Sequence, residues 1–245
     1  MHHLIKDTEL SEILKALLQI KTIHKTNILR LRNFIEAVYY VLRSGCQWRL
    51  LPTEYGFWRS IDKRFKQWSN KNIWKRLFET VRIDPDLEYV MLDSPVVRAH
   101  ACAAGYGKNS QEKEALGRSK GGFTTKIHTA VDALGNPLNF SLTGGQRHDI
   151  TQASFLTEEF IGEFTFADKD YDSNAFIERL NAKGSIPVIP SRKNRKEPRA
   201  YDEFLYEDRS RIECFFNKIN HYRRVFSRYD KCAQSFLSFL YFVGA

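Results

Sequence analysis

The chain has 245 residues, with 38 Lys and Arg against 29 Asp and Glu for a formal net charge of +9. With 42% hydrophobic and 13% aromatic residues but only 13 Gly and 7 Pro, it is neither a disordered chain nor a low-complexity scaffold. The length suits one large domain or a medium domain beside a small one. The basic excess points to a polyanionic partner such as a phosphate backbone, with a merely soluble basic protein as the plain alternative.

No apolar run reaches the roughly 18 residues of a membrane span, and Met1-His2-His3 opens no signal-peptide core, with Asp7 and Glu9 close behind. The expectation is a cytoplasmic, nucleoid-associated protein with no membrane partner. Cys46, Cys102, Cys214 and Cys232 lack zinc-like spacing and read as free thiols.

Residues 1–85 read as a helical domain. Ile28, Leu31, Ile35, Val38 and Leu42 recur at helical spacing until Ser44-Gly45. Leu51-Pro52 and Tyr55-Gly56 mark a loop. Trp58, Ile61, Phe65 and Trp68 give a second period, with Arg59, Lys63, Arg64 and Lys66 between them. Ile73, Trp74, Leu77 and Phe78 give a third. Three short helices with a basic surface suggest a helix-turn-helix-like DNA-binding module, although a solvated basic face gives the same pattern.

Residues 86–245 read as a second domain. Strands are predicted over 88–93, 123–131, 137–142, 164–168 and 186–189, with a hairpin turn at Asp132 to Asn136. The Gly/Ser/Lys-rich stretch 103–122 reads as a loop. Helices are predicted over 151–160, from an Asp172-Ser173 cap to Leu180 with Gly184 as stop, and over 203–229. Three strands in succession followed by alternation imply an α/β fold, a mixed sheet with helices on both faces.

Asp93 and Asp168 end predicted strands, where open α/β sheets gather catalytic groups. Tyr206, Arg209, Glu213 and Asn220 share one face of the last helix, beside the apolar stripe Ile212, Phe215, Phe216 and Ile219. Converging carboxylates hold hard cations. Spacing alone leaves Asp93 and Asp168 open as turn formers and Arg209–Glu213 as a surface pair.

Five motifs, in order, resemble the bacterial insertion-sequence transposases of the insertion sequence five family. They are Leu42-Arg-Ser-Gly-Cys-Gln-Trp-Arg-Leu-Leu-Pro52, Gly117-Arg-Ser-Lys-Gly-Gly-Phe-Thr-Thr-Lys-Ile-His128, Gly145-Gln-Arg-His-Asp149, Ala167-Asp-Lys-Asp-Tyr-Asp172 and Arg228-Tyr-Asp-Lys231. The resemblance runs from about residue 30 to the end. It implies an RNase H-like core whose Asp-Asp-Glu triad, Asp93, Asp168 and Glu213, is both catalytic and the ligand set for two Mg²⁺ or Mn²⁺ ions. The family's Tyr-Arg-Glu-Lys signature maps to Tyr206, Arg209 and Glu213. Its lysine position holds Asn220, with Arg223 or Arg224 as candidate substitutes, and Asp170 stands where the family has a small residue.

The resemblance further implies a DNA transposase that cuts and joins its element's ends, acting on terminal inverted repeats and target DNA as a homodimer. Lys126, Tyr206 and Arg209 are candidate DNA contacts at the core, Arg192, Lys193, Arg195 and Lys196 in a basic loop, and Arg59 and Lys63 on the helical domain. Asp172 competes with Asp168 as second carboxylate but fits a helix cap better. His100 and His128 either orient phosphate or water near the site or pack on the strands, with packing the favoured reading. Arg147, His148 and Asp149 form either a hydrogen-bonded turn or a contact to DNA or metal. Trp48, Trp58, Trp68 and Trp74 read as core. The rival readings are an RNase H-like nuclease without strand transfer and an inactive, domesticated DNA-binding copy.

Overall fold

The computed structural model describes residues 5–23, 27–82, 84–103, 112–119 and 122–245. In chain order the elements are α1 (Asp7–Gln19), α2 (Ile28–Ser44), α3 (Trp58–Asn70), α4 (Ile73–Val81), β1 (Tyr89–Asp93), β2 (Val96–Ala99), β3 (Gly117–Ser119), β4 (Gly122–Val131), β5 (Pro137–Gly144), α5 (Ile150–Leu156), β6 (Phe164–Phe166), α6 (Asn174–Ala182), β7 (Ile186–Val188), α7 (Glu203–Tyr206), α8 (Ser210–Asn220), α9 (Arg223–Phe226) and α10 (Ala233–Gly244). No helix among the described residues is long and apolar enough to cross a membrane.

Two compact units result. One takes Asp84–Arg98 and Gly107–Lys218, the other Met1–Ile83, Ala99–Tyr106 and Ile219–Ala245.

The first unit is built on a mixed sheet. β4 is its long antiparallel member, paired with β5 on one side and with β1 on the other, where β2 continues beyond β1. β6 runs parallel to β1, and β7 parallel to β6. The order β5-β4-β1-β6-β7, with β4 antiparallel, is that of an RNase H-like fold. Side chains alternate along β1. Val90 and Leu92 join a buried cluster with Leu156 of α5 and Phe176, Ile177 and Leu180 of α6, which turns Asp93 to the opposite face. Gly184 (φ +81°) ends the α6 segment in the left-handed region that glycine adopts without strain.

The second unit is helical with an aromatic core. Asn27 caps α2 by accepting the Arg30 N–H at 2.8 Å. α2 buries Leu31, Phe34, Ile35, Val38, Val41 and Leu42 and stops at Gly45 (φ +69°), where a Cβ would sit 3.0 Å from the Arg223 Cβ. The Phe65 and Phe239 rings stack at 4.4 Å, Trp74 lies 5.0 Å from Phe242, and Phe78 lies 5.6 Å from Tyr241. The segment 219–245 therefore folds with the N-terminal helices. The sequence boundary at 85/86 had placed it with the sheet, because linear order hides that α10 supplies Phe236, Phe239, Tyr241 and Phe242 to this aromatic core.

Three further expectations change. The helix expected over 203–229 is broken by a 3₁₀ turn at Glu207–Arg209 and again at Tyr222, whose backbone is extended and whose hydroxyl meets that of Tyr39 at 3.5 Å. β2, short and half exposed, was not anticipated. Within the stretch read as loop, 117–119 pairs with β4, while 104–111 and 120–121 lie outside the described residues.

Candidate active site

The register Met91↔Phe166 between β1 and β6, carried two residues on, sets Asp93 beside Asp168 at the carboxyl ends of adjacent parallel strands, about 4.8 Å apart. Asp168 follows its strand and caps the turn Lys169–Tyr171, its Oδ1 accepting the Asp170 N–H at 2.9 Å. Arg209, just before α8, reaches Asp93 at 3.3 Å and Glu213 at 3.1 Å. One guanidinium thus joins Asp93 and Glu213, which are 120 residues apart in the chain. The buried stripe Ile212, Phe215, Phe216 and Ile219 fixes the face of α8, with Phe215 against Phe140 of β5 at 6.1 Å. Tyr206 lies under the Arg209 guanidinium at 5.9 Å.

Two carboxylates add to this group. Asp149, Asp168 and Asp170 present oxygens that all lie within 4.8 Å of one another. The Gly145-to-Asp149 motif carried the signal for Asp149, but its spacing from Asp168 gave no hint of contact. Lys126 pairs with Asp149 rather than pointing outward.

The electrostatics reflect crowding. Burial raises the Asp93 carboxyl above its usual range, with Glu213 and Asp149 adding to the rise, while Arg209 and the Ser94 N–H oppose it. Burial also raises Asp168, with Asp170 and Asp93 adding to it. Burial would lower the Arg209 guanidinium, but Asp93, Tyr206, Asp168 and Glu213 together hold it above its ordinary value. Among the described residues, five carboxylates (Asp93, Asp149, Asp168, Asp170, Glu213) face two cations (Arg209, Lys126). An oxygen-rich, under-neutralised cluster of this kind suits hard divalent cations.

The basic loop is organised from within. Asp172, its side chain only 1% exposed, binds Arg195 at 2.8 Å and Arg199 at 2.7 Å and accepts the Arg192 N–H at 3.0 Å. The Arg192 guanidinium donates to the carbonyls of Lys169 and Asp170. These donors outweigh burial and hold the Asp172 carboxyl below its usual value. Asp172 is therefore not the helix cap its position suggests; Ser173 holds that place without a side-chain hydrogen bond. Arg192 and Arg195 spend their guanidinium groups on the protein, while Lys193 and Lys196 are exposed. Arg147 pairs with Glu112.

In the helical unit, Arg59 and Lys63 are exposed on α3, whereas Arg64 packs over Phe34 and Trp68. Asn220 is exposed. Arg224 cannot take the missing lysine's part, because it is buried and paired with Asp230.

His128 is fully buried on β4, its Nε2 2.7 Å from Thr143 Oγ1. Burial lowers its pKa to about 4, helped by Lys126 and opposed by Asp149. An unfolded histidine titrates near 6.5. Between these values the unfolded chain binds a proton that the folded chain refuses. Stability from this group is complete above about 6.5 and declines as pH falls towards 4, by roughly 3 kcal/mol. Urea unfolding from pH 7 to 4.5 should show that slope, and His128→Gln should remove it; an unchanged slope in the variant would assign the acid sensitivity elsewhere.

An RNase H-like sheet with acidic side chains at the ends of its adjacent central strands defines the class, a phosphoryl-transfer core. Residues 6–78 match a family described as "Putative transposase of IS4/5 family", and residues 85–235 match "Transposase DDE domain". The chain belongs to the DDE transposases of insertion sequences. It is 39% identical over 127 residues, half of this chain and 95% of the relative, to a Brucella ovis protein named "Putative transposase for insertion sequence element IS6501". It is 36% identical over 74 residues, 30% of this chain and 59% of the relative, to the uncharacterized protein y4sN of Sinorhizobium fredii. The cryo-EM structure of a piggyBac transposase synaptic complex with hairpin DNA aligns over 78% of this chain and 50% of that one, at 14% identity and a TM-score of 0.40.

Proposed function

We propose that this protein cuts the terminal inverted repeats of its own insertion sequence and joins each freed 3′-hydroxyl to target DNA. The observation that carries this reading is the meeting of Asp93, Asp168 and Glu213 around Arg209. In this reading Asp93, Asp168 and Glu213 hold two Mg²⁺ or Mn²⁺ ions, with Asp170 and Lys126-paired Asp149 around Asp168. When bound, such a pair of ions activates an attacking oxygen and stabilises the leaving one.

The protein's own groups set the stage. Arg209 restrains Asp93 and Glu213 and carries a buried Nε with no acceptor among the described residues, a donor for a phosphate oxygen. Tyr206 supports its guanidinium. Arg192 braces the turn that presents Asp168. Exposed Lys193, Lys196, Arg59 and Lys63 supply backbone contacts that position DNA without reading its bases. Two ends cut in concert call for a homodimer on DNA.

The test is a labelled duplex carrying the inverted repeats that flank the coding region, incubated with the protein and Mg²⁺ or Mn²⁺. Nicking at the repeat boundary and joining to a second duplex are expected. Nicking without joining would leave only the nuclease reading, and binding without metal-dependent cutting would leave the domesticated one.

A further inference from the structure

The helical unit contains a cleft of about 670 Å³, within the range that holds small molecules. Two of the sequence motifs meet in its walls, the stretch around Trp48 and the stretch around Tyr229, and neither is used by the acidic site. Trp48 and Trp58 are both half-buried, unlike the core residues Trp68 and Trp74. Trp48 is held from behind by Phe65 and Phe239. The Tyr229 ring leans on His100 at 5.3 Å.

Besides Gln47, His100 and the Asp230-paired Arg224, three charged groups line this cleft. Arg49 and Lys231 are exposed in its wall and form no ion pair among the described residues. Asp62 also lines it. Its Oδ2 takes Lys66 at 2.7 Å, but its Oδ1 is buried with no donor among the described residues. A buried acceptor without a partner is costly unless a donor arrives.

We infer that this cleft binds one unstacked nucleotide of DNA, a base bearing an exocyclic amine between the aromatic walls and its phosphates against Arg49 and Lys231. Every base offers a π face, so aromatic walls accept a base out of its stack. The exposed cations suit a phosphodiester. Asp62 Oδ1 selects among bases, because the amine of cytosine, adenine or guanine donates to it. The only ring donor of thymine sits between two carbonyl oxygens that repel a carboxylate. The inference rests on the reading of the chain as a DNA-processing protein, and its occupant is a displaced base rather than a duplex.

The experiment titrates the full chain into 5′-labelled (dC)₈ and (dT)₈, two pyrimidine strands of equal length and charge, by fluorescence anisotropy. (dC)₈ should bind about tenfold more tightly. Asp62→Asn should bring the two affinities together, and Trp58→Ala should weaken both strands by about tenfold. Both residues are partly exposed on α3, and circular dichroism checks that each variant folds; if Trp58→Ala does not, Asp62→Asn carries the test. A second readout is alkylation. Cys102 in the cleft wall and Cys214 on α8 are both exposed, and saturating (dC)₈ should slow modification of Cys102 but not of Cys214. Equal wild-type affinity for the two strands, or an unprotected Cys102, overturns the inference. Duplex binding measured alongside keeps the two readings separate: duplex binding without base discrimination ends only the nucleotide site, whereas loss of both also ends the DNA-processing function.

Discussion

Asp93→Asn should cut strand cleavage by about a thousandfold or more while leaving the protein as thermostable as the parent. The substitution keeps shape and removes charge. On the proposed function Asp93 would be a carboxylate ligand to ions that stabilise transition-state charge, a loss worth several kcal/mol, and each 1.36 kcal/mol is a factor of ten. The stability half of the expectation separates a catalytic role from a structural one. Burial raises the Asp93 carboxyl, so the fold disfavours the charge that Asn removes. Arg209 keeps Glu213 as a partner. Sites tuned for function commonly cost stability, and a thermal midpoint that holds or rises as cleavage disappears is the signature. Cleavage within about tenfold of wild type would remove Asp93 from the triad. A midpoint that falls in step with activity would make it a structural residue. Asp168→Asn should behave alike in activity, but it also weakens the cap on the Asp170 N–H, and some loss of stability is expected there.

Local pattern set the three proposed triad carboxylates on their elements, and only the family resemblance joined them into one proposed site. Asp93 closes an apolar strand, Asp168 follows another, and Glu213 lies beside a helical stripe that had to be buried. The β4–β5 hairpin was legible for a similar reason: two alternating runs flank Asp132, whose carboxylate gathers the N–H groups of Leu134 and Asn136. What could not be read depends on partners distant in sequence. Asp172 has local features of a helix cap, yet Arg195 and Arg199, more than twenty residues on, claim its carboxylate. The basic loop reads as free charge for the same reason; only the fold shows which of its cations are already spent. Lys126 and Asp149 likewise find each other across 23 residues. The break at Tyr222 has no proline or glycine to mark it, and its explanation lies in Tyr39 on a helix some 180 residues earlier.

Within and beside the Arg228-Tyr229-Asp230-Lys231 motif, Arg224, Arg228 and Asp230 form a buried network, and breaking it should have the largest effect on stability. Arg224 and Asp230 are 5% and 8% exposed. Their two parallel hydrogen bonds measure 3.0 and 2.9 Å, the fork geometry in which arginine binds carboxylate best. Arg224 also donates to the Cys46 carbonyl at 2.9 Å and lies over the rings of Trp48 and Phe239. Arg228, fully buried, ties the same turn together through the carbonyls of Asp230 and Lys231. Asp230→Ala leaves a guanidinium in an aromatic core with no counter-ion, a loss of about 3–5 kcal/mol. In a chain of this length that lowers the thermal midpoint by on the order of 10 °C. The pair itself need not be worth that much, because most of the cost is the stranded charge. The double variant Arg224→Met with Asp230→Leu should therefore recover much of the loss, and thermal unfolding of the two variants side by side measures the difference. A single variant that melts within about 2 °C of wild type would show that water reaches Arg224 and that the network is ornamental to the fold; a double variant no better than the single would place the energy in the hydrogen bonds to Cys46 and the turn rather than in the charge.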